Sequence, residues 1–337
     1  MNTPSGYPAM KALFTLLGLL ITLTGAAQQR FVNLGDFRLE NGQTIRDCRL
    51  GYRTFGKLNA GRTNAVLVPT WFTGTSDNKK FVAEPGNIAD STRYFTIVVD
   101  ALGNGVSSSP SNSTTQPGAQ FPQFSIRDMV RSEYELVTKH LGLTHLHTVT
   151  GISMGGMQSF EWLVTYPDFV DHVVPIVGTP RQSSYDKLFW GTQLNILERG
   201  NYAPDAMKTV AALHELNLTT PGYFFSHLKA EEEPAFLQQK EADYLNRNPY
   251  DWAAQLRAMI GHDIYRGQTV AELKNRIKAK LLIVVATQDH MVTPGPAIEL
   301  ARSLQVPLIE LPSDCGHLAT SCDTTILKTE VRKFLME

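Results

Sequence analysis

Residues 147–162 read HTVTGISMGGMQSFEW, and this short stretch decides the fold. His147 to Thr150 is a β-branched run typical of the end of a buried strand. From Met157 to Tyr166 apolar residues recur at helical spacing, which predicts a helix. Between the two lies the pattern G-x-S-x-G, centred on Ser153. The stretch therefore predicts a strand, a tight turn and a helix, with a serine on the turn.

The glycines around Ser153 indicate how tight this turn must be. A serine at a sharp strand-to-helix turn is strained and holds its oxygen outward, as a nucleophile requires. A Cβ atom at Gly151 or Gly155 would collide with the crossing backbone. The pattern also occurs by chance, because Gly and Ser are common residues. The flanking strand and helix favour the nucleophile, whose partners must then be found elsewhere in the chain.

The composition is that of an ordinary globular protein. The 337 residues are 42% hydrophobic and 19% charged, with a formal net charge of −1. This length fits one large or two small domains. The near-neutral charge and the lack of a basic run argue against a nucleic-acid partner.

The N-terminus has the pattern of a secretory signal peptide. Lys11 precedes the apolar run 12–23, and small residues follow at 25–27. The run is shorter than the ~20 residues of a membrane-spanning helix. We therefore predict a signal peptide at 1–27, cleaved after Ala27, with a periplasmic or secreted product and no stable membrane insertion. A disordered tail or a single anchor is the alternative interpretation.

The sequence has three cysteines, Cys48, Cys315 and Cys322. Export to an oxidising compartment would permit a bridge, most simply between Cys315 and Cys322 across a short loop. The alternative is that all three are small buried apolar residues. No C-x-x-C pair and no His/Cys cluster indicates a metal site, so we expect no metal and no cofactor.

Short apolar runs separated by helical patterns predict an α/β architecture. The predicted strands are Phe31–Leu39, Arg49–Phe55, Ala65–Val68, Tyr94–Val99, Leu146–Thr150, Val173–Val177, Leu281–Ala286 and Val306–Leu311. The clearest helical patterns are Ile126–His140, Met157–Tyr166 and Pro296–Leu304. The first two strands read as a hairpin or an antiparallel edge. The alternation of the later ones predicts a mostly parallel sheet flanked by helices.

One long segment, 181–278, lacks a convincing strand and holds helical stretches around an acidic run at Glu231–Glu233. We interpret it as a helical lid inserted into a core formed by 28–180 and 279–337. A separate small helical domain is the alternative, but the return to a strand at Leu281 favours the insertion. The lid helices are also a candidate surface for pairing two subunits.

A serine becomes nucleophilic when a base takes its proton and a carboxylate orients that base. In parallel sheets such groups gather at the carboxyl ends of strands. Strand Leu281–Ala286 ends in TQDH, which offers Asp289, and strand Val306–Leu311 ends in PSDCGH, which offers His317. The order Ser153, Asp289, His317 is that of α/β-hydrolases.

Three other residues compete for these roles. His290 is a rival base, although its place beside Asp289 suits a solvated turn. Asp314 is a rival acid. Asp100 also ends a strand, but it precedes the serine and is expected to hydrogen-bond its own turn.

Acyl transfer also needs backbone N–H donors placed where the oxyanion forms. Met154, directly after the nucleophile, supplies one donor. The second is expected from the loop after strand Ala65–Val68, where we choose Phe72, with Trp71 as the fallback. Both aromatic side chains could instead only line the substrate pocket.

With these residues identified, the chain resembles the homoserine O-acetyltransferase family of α/β-hydrolases over nearly all of its mature length. The segments that carry the resemblance are FPQFSIRDMVRSEYELVTKHLGL, GISMGGMQSFEW with YPDFV, and DWAAQLRAMIGHDIYRG. The resemblance implies that Ser153, Asp289 and His317 form the triad and that Phe72 and Met154 form the oxyanion hole. The family moves an acetyl group from acetyl-CoA, through the serine, to homoserine.

The chain departs from this family at the substrate site. The family's catalytic histidine is followed by an aspartate that helps hold the substrate amine, whereas Leu318 follows His317 here. The family's lid segment with Arg and Tyr, which grips homoserine, is not found between Gly191 and Phe225. Acetyl-CoA, moreover, is a cytoplasmic metabolite. We assign Trp71 and Leu318 to substrate binding.

These observations lead to three hypotheses. The first is an exported serine hydrolase that cleaves small carboxylic esters through an acyl-serine and needs no cofactor. The second is an O-acyltransferase that uses acetyl-CoA and a small alcohol. The third, a binding protein without activity, would more often have lost a member of the triad.

Overall fold

The computed structural model describes residues 27–78 and 80–336. The predicted signal peptide lies outside the described residues except for Ala27. Within the described part of the chain, no helix is both long and apolar enough to cross a membrane.

The described residues form one nine-stranded sheet. Its strands are β1 (Arg30–Arg38), β2 (Thr44–Phe55), β3 (Ala65–Pro69), β4 (Phe95–Val99), β5 (Leu146–Ile152), β6 (Val170–Ile176), β7 (Lys280–Leu281), β8 (Ile283–Ala286) and β9 (Leu308–Leu311). The spatial order is β1-β2-β4-β3-β5-β6-β8-β9, and β7 pairs with β6. The pairs β1/β2 and β2/β4 are antiparallel, and the other pairs are parallel. This confirms the predicted α/β class with a mostly parallel sheet flanked by helices.

The helices cover the sheet and build the segment predicted as a lid. They are α1 (Ile126–Glu135), α2 (Met154–Thr165), α3 (Ser184–Arg199), α4 (Ala206–Leu218), α5 (Pro221–His227), α6 (Glu233–Leu245), α7 (Pro249–Ile260), α8 (Val270–Arg276), α9 (Gly295–Leu304), α10 (Ala319–Cys322) and α11 (Thr324–Phe334). All five residues of β3 are buried, as expected for a strand covered on both faces.

Several predicted boundaries were wrong, and they include the starts of β2 at Thr44 and β6 at Val170 and the strand Leu281–Ala286, which is divided into β7 and β8. Helix α2 starts at Met154, immediately after the serine, because the tight turn leads straight into the first helical residue. Helix α1 ends at Glu135 and continues as a π-helical turn to His140. The last strand starts at Leu308, two residues later than predicted, because Pro307 has no N–H with which to join the ladder.

Residues 181–278 contain helices α3 to α8, and their only β pairing is an isolated bridge between Arg181 and Asp263. The role of this segment as a lid and its pairing of two subunits stay predictions. Its outer surface does carry apolar side chains, namely Leu188, Leu216 and Phe225.

A carboxylic acid lies in the core where α1 packs on α2. Glu133 is 1% exposed, and its Oε2 accepts a hydrogen bond from Trp162 Nε1 at 2.6 Å. Its Oε1 has no hydrogen-bond partner among the described residues. Burial raises the pKa of Glu133 to about 8, because the charged form cannot be solvated there.

This raised pKa predicts how Glu133→Gln changes stability with pH. The wild-type carboxyl is neutral in both states at low pH, but above its unfolded pKa the folded state binds more protons than the unfolded state. The free-energy cost of burying the ionised Glu133 carboxylate in the wild type is therefore absent below about pH 4 and fully developed above about pH 8. We expect Glu133→Gln to raise the free energy of unfolding by a few kcal/mol at pH 9 and by little at pH 5, measured by urea denaturation.

The matched control is Glu135→Gln, on the same helix but paired with Lys139 near the surface. It should show no such gain at pH 9. An equal effect of Glu133→Gln at pH 5 and pH 9 would contradict the proposed burial of the charge.

Candidate active site

Ser153 occupies the sharp turn between β5 and α2. Its backbone has φ 61° and ψ −120°, a region that residues with a side chain rarely enter. A Cβ on Gly151 would lie 2.4 Å from the backbone oxygen of Gly155, and a Cβ on Gly155 would lie 2.6 Å from the backbone oxygen of Pro69. The two glycines are thus required by the close crossing of three backbone segments.

The structure brings the other two predicted residues to this serine. His317 follows β9 in a short 3₁₀ turn, Gly316–Leu318, and Asp289 follows β8. His317 Nε2 lies 2.8 Å from Ser153 Oγ, and His317 Nδ1 lies 2.6 Å from Asp289 Oδ2. The exposed fractions of Ser153, Asp289 and His317 are 8%, 5% and 8%, so bulk water competes little for these hydrogen bonds.

The carboxylate of Asp289 is itself held in place. Its Oδ1 accepts hydrogen bonds from the backbone N–H groups of Met291 at 2.8 Å and Val292 at 2.9 Å. The opposite oxygen is left for His317 Nδ1–H. This arrangement directs His317 Nε2 towards the serine hydroxyl, where it can accept the proton.

The rival residues lie elsewhere. His290 is exposed, and Asp314 contacts the lid through its backbone oxygen, which accepts a hydrogen bond from Thr220 Oγ1. Asp100 is fully buried and accepts hydrogen bonds from Ser76 N–H and from Asn104. Asp100 therefore stabilises the turn after β4 and also the loop after β3.

The two residues whose backbone N–H groups are predicted to bind the oxyanion lie on adjacent segments. Met154 is the first residue of α2, and Phe72 lies in the turn after β3. Neither backbone N–H donates a hydrogen bond to another described residue. Gln158 Nε2 donates to the backbone oxygens of Thr70 at 3.0 Å and Met154 at 3.1 Å, which ties the two segments together.

Sequence reasoning missed three residues that position the site. Gln158 fell in the helical pattern of α2 and gave no separate signal. Gln255 on α7 accepts a hydrogen bond from Thr73 N–H at 2.8 Å and so fixes the loop after β3. Asp186 binds Thr293, four residues beyond Asp289, and it also closes the capping box of α3. The S-x-x-D pattern of that box was visible in the sequence.

A cavity of about 530 Å³ opens at the serine. The predicted residues Trp71, Phe72 and Leu318 all line it. Leu318 is 41% exposed, so its apolar side chain stands at the cavity surface beside His317.

The lid segment supplies much of the cavity wall. Its contributions include Trp190, His214, Glu215, Leu218, Tyr244, Arg247 and Trp252. Among these, Tyr244 lies within α6 and Arg247 follows it, outside the range Gly191 to Phe225. Arg247 donates a hydrogen bond to Thr73 Oγ1 and lies over the rings of Tyr244 and Trp252.

The disulfide Cys315–Cys322 encloses the turn that carries His317. Cys48 is a free, buried thiol whose pKa burial raises to about 12, so it stays protonated. Among the described residues, no group of three or more His, Cys, Asp or Glu side chains could hold a metal ion.

The site combines a serine on a strained strand-to-helix turn with a histidine that is hydrogen-bonded to it and an aspartate that is hydrogen-bonded to the histidine, and this arrangement defines a class of enzyme fold. A family model described as alpha/beta hydrolase fold matches residues 65–320. The chain belongs to the α/β-hydrolase fold family, in the branch that contains homoserine O-acetyltransferases.

Relatives with two different enzymatic activities support the assignment of the chain to this family. A homoserine O-acetyltransferase of Geotalea daltonii is 36% identical over 89% of this chain and 95% of its own length. An ethyl acetate hydrolase of Pseudomonas veronii is 42% identical over 47% of this chain and 46% of its own length. Among solved structures, the acetyl esterase MekB has a TM-score of 0.83 and 27% identity, covering 92% of this chain and 97% of that one.

The match to the first two esterase relatives spans only part of each. It covers 46% of the Pseudomonas veronii protein and 57% of a probable esterase of Corynebacterium glutamicum. The comparisons thus establish an α/β-hydrolase-type enzyme with esterases and acyltransferases among its relatives.

Proposed function

We propose that the protein is a serine hydrolase that cleaves small carboxylic esters through an acyl-serine intermediate. The observation that carries this proposal is the hydrogen-bonded series Ser153–His317–Asp289, which opens into the cavity. A buried base within 2.8 Å of a hydroxyl is the geometry that activates a serine for attack on a carbonyl carbon.

The steps follow from this geometry. His317 Nε2 accepts the proton of Ser153 Oγ as the oxygen attacks the ester carbonyl, and Asp289 stabilises the imidazolium. The N–H groups of Met154 and Phe72 donate to the oxyanion. His317 then gives the proton to the leaving alcohol. Water enters and attacks the acyl carbon as it loses a proton to His317, which then gives this proton to Ser153 Oγ as the acid leaves.

The side chains beside the base favour water over an amine-bearing acceptor. Leu318 places an apolar group where an amine-binding carboxylate would be expected. The carboxylate among the described cavity-lining residues, Glu215, is already engaged, because it pairs with Lys240 at 3.0 Å and accepts from Tyr244 Oη at 2.9 Å. An ammonium group would therefore lose its hydration without gaining a free partner.

Acyl transfer is the second candidate function. The Geotalea daltonii relative, named a homoserine O-acetyltransferase, aligns with most of this chain. Arg247 and Tyr244 also line the cavity, so a guanidinium is available for an acceptor's carboxylate. The same triad serves both reactions, and the acceptor decides between them.

Export is part of the proposal. It is supported by the N-terminal sequence pattern and by the disulfide Cys315–Cys322, a bond typical of oxidising compartments. The folded contacts also begin close to the proposed cleavage point, since Gln29 Nε2 donates to Asp100 at 2.9 Å.

Replacing the nucleophile tests the reaction. Ser153→Ala should leave the fold intact but lower kcat for p-nitrophenyl acetate by at least about three orders of magnitude, because no other group can form the acyl intermediate. A fluorophosphonate should label the wild type at Ser153 and leave the variant unlabelled, as read by peptide mass spectrometry. A label on any other residue would refute the assignment.

The fate of the acyl group distinguishes hydrolysis from transfer. With millimolar homoserine and a short p-nitrophenyl ester, the wild type should release mainly free acid. Leu318→Asp should raise the ratio of O-acyl-homoserine to free acid, because it adds the missing partner for the amine, whereas Leu318→Asn should not. Mass spectrometry measures the ratio. If the wild type already places most of the acyl group on homoserine, acyl transfer is the function.

N-terminal sequencing tests export. Protein isolated from the native host should begin near Gln28 and lie outside the cytoplasm. A soluble cytoplasmic pool that retains residues 12–23 would contradict export and favour the acetyl-CoA reaction.

A further inference from the structure

His214 lies on α4, inside the lid segment, and lines the cavity at the serine. Its ring packs among aromatic side chains. The ring centroids lie 5.1 Å from Trp252, 5.9 Å from Tyr244, and 6.0 Å from both Phe72 and Trp190. A polar imidazole thus stands among four aromatic side chains of the cavity wall.

The described residues give His214 Nδ1 no hydrogen bond that would compensate its burial. His214 is 8% exposed, and its Nδ1 is buried without a partner among the described residues. A buried polar atom left unpaired is costly to folding, and it calls for an explanation in a native site. Nothing in the proposed acyl-transfer steps uses this ring, because His317 already serves as the base.

The ring stays neutral over the working range of pH. Burial and, after it, the positive charges of Arg247 and Lys240 lower the pKa of His214 to about 3. A neutral imidazole offers one N–H donor and one acceptor nitrogen, so it can bind either a carbonyl or a hydroxyl oxygen. It cannot serve as a charge partner for a substrate carboxylate.

We propose that His214 binds a second oxygen of the substrate, a hydroxyl or carbonyl oxygen outside the ester group, so that the preferred substrates are oxygenated esters rather than plain alkyl esters. The proposal rests on the hydrolase function above and specifies its substrate class. The cavity of about 530 Å³ falls within the range of sites for whole metabolites and leaves room beyond a short ester. The surrounding rings would pack on the carbon atoms that connect the two oxygenated groups.

The experiment compares esters that differ by one group. On the acyl side the pair is p-nitrophenyl butanoate and p-nitrophenyl 3-hydroxypropanoate, and on the alcohol side it is propyl acetate and 2-hydroxyethyl acetate. For each pair the readout is the ratio of kcat/KM for the hydroxylated ester to kcat/KM for the plain ester. His214→Phe should lower this ratio about 2- to 10-fold in one pair, the effect of one lost hydrogen bond. The pair that responds shows which part of the ester lies against the lid.

His214→Gln should keep most of the ratio, since the amide can donate and accept. If His214→Phe does not fold, His214→Leu provides the same comparison. The matched control is His172→Phe, because His172 is equally buried with an unpaired Nε2 but does not line the cavity. It should leave both ratios unchanged.

The outcomes separate the two proposals. If the wild type cleaves none of the four esters, the hydrolase function fails. If the wild type cleaves them and a folded His214 variant lowers kcat/KM equally for both members of each pair, the substrate contact is refuted.

Discussion

The close crossing of backbone at Gly151, Gly155 and Pro69 is the constraint on which the rest of the site depends. Only hydrogen atoms fit between these segments, so β3, β5 and α2 can approach within 2.4–2.6 Å of where a Cβ would lie. This approach holds Ser153 in its strained conformation. It also places the turn after β3 beside the start of α2. The backbone N–H groups of Phe72 and Met154, which have no hydrogen-bond partner among the described residues, therefore lie on adjacent segments.

Residues 181–278 contribute more than cavity wall, because they anchor the loops that carry the other two members of the triad. Asp186 holds the loop after Asp289 through Thr293, and Thr220 donates to the backbone oxygen of Asp314 in the loop before His317. The disulfide closes that same loop from the other side. A change within the lid can therefore alter the position of the base as well as the shape of the cavity.

Buried polar groups are paired in some parts of the molecule and unpaired in others, since Glu133 Oε1 in the core has no partner among the described residues. Glu161, although buried, pairs with Arg127 and Arg266. Around the cavity, His214 lacks a partner among the described residues, and Leu318 presents an apolar surface next to the base. Unfulfilled hydrogen-bonding capacity of this kind is tolerated where a ligand can complete it.

The α/β class, the alternation of strands with helices, and the choice of Ser153, Asp289 and His317 could all be predicted from the sequence. These features depend on local patterns: hydrophobic periodicity, glycines at a tight turn, and polar residues directly after buried strands. Boundaries were less well predicted, because Pro307 and the abrupt start of α2 depend on individual hydrogen bonds. Only the tertiary structure decided the cavity wall, with His214, Tyr244 and Arg247 brought from the lid to the serine. Contacts between residues far apart in the chain leave no periodic trace in either segment, so sequence patterns could not show that these side chains meet at the serine.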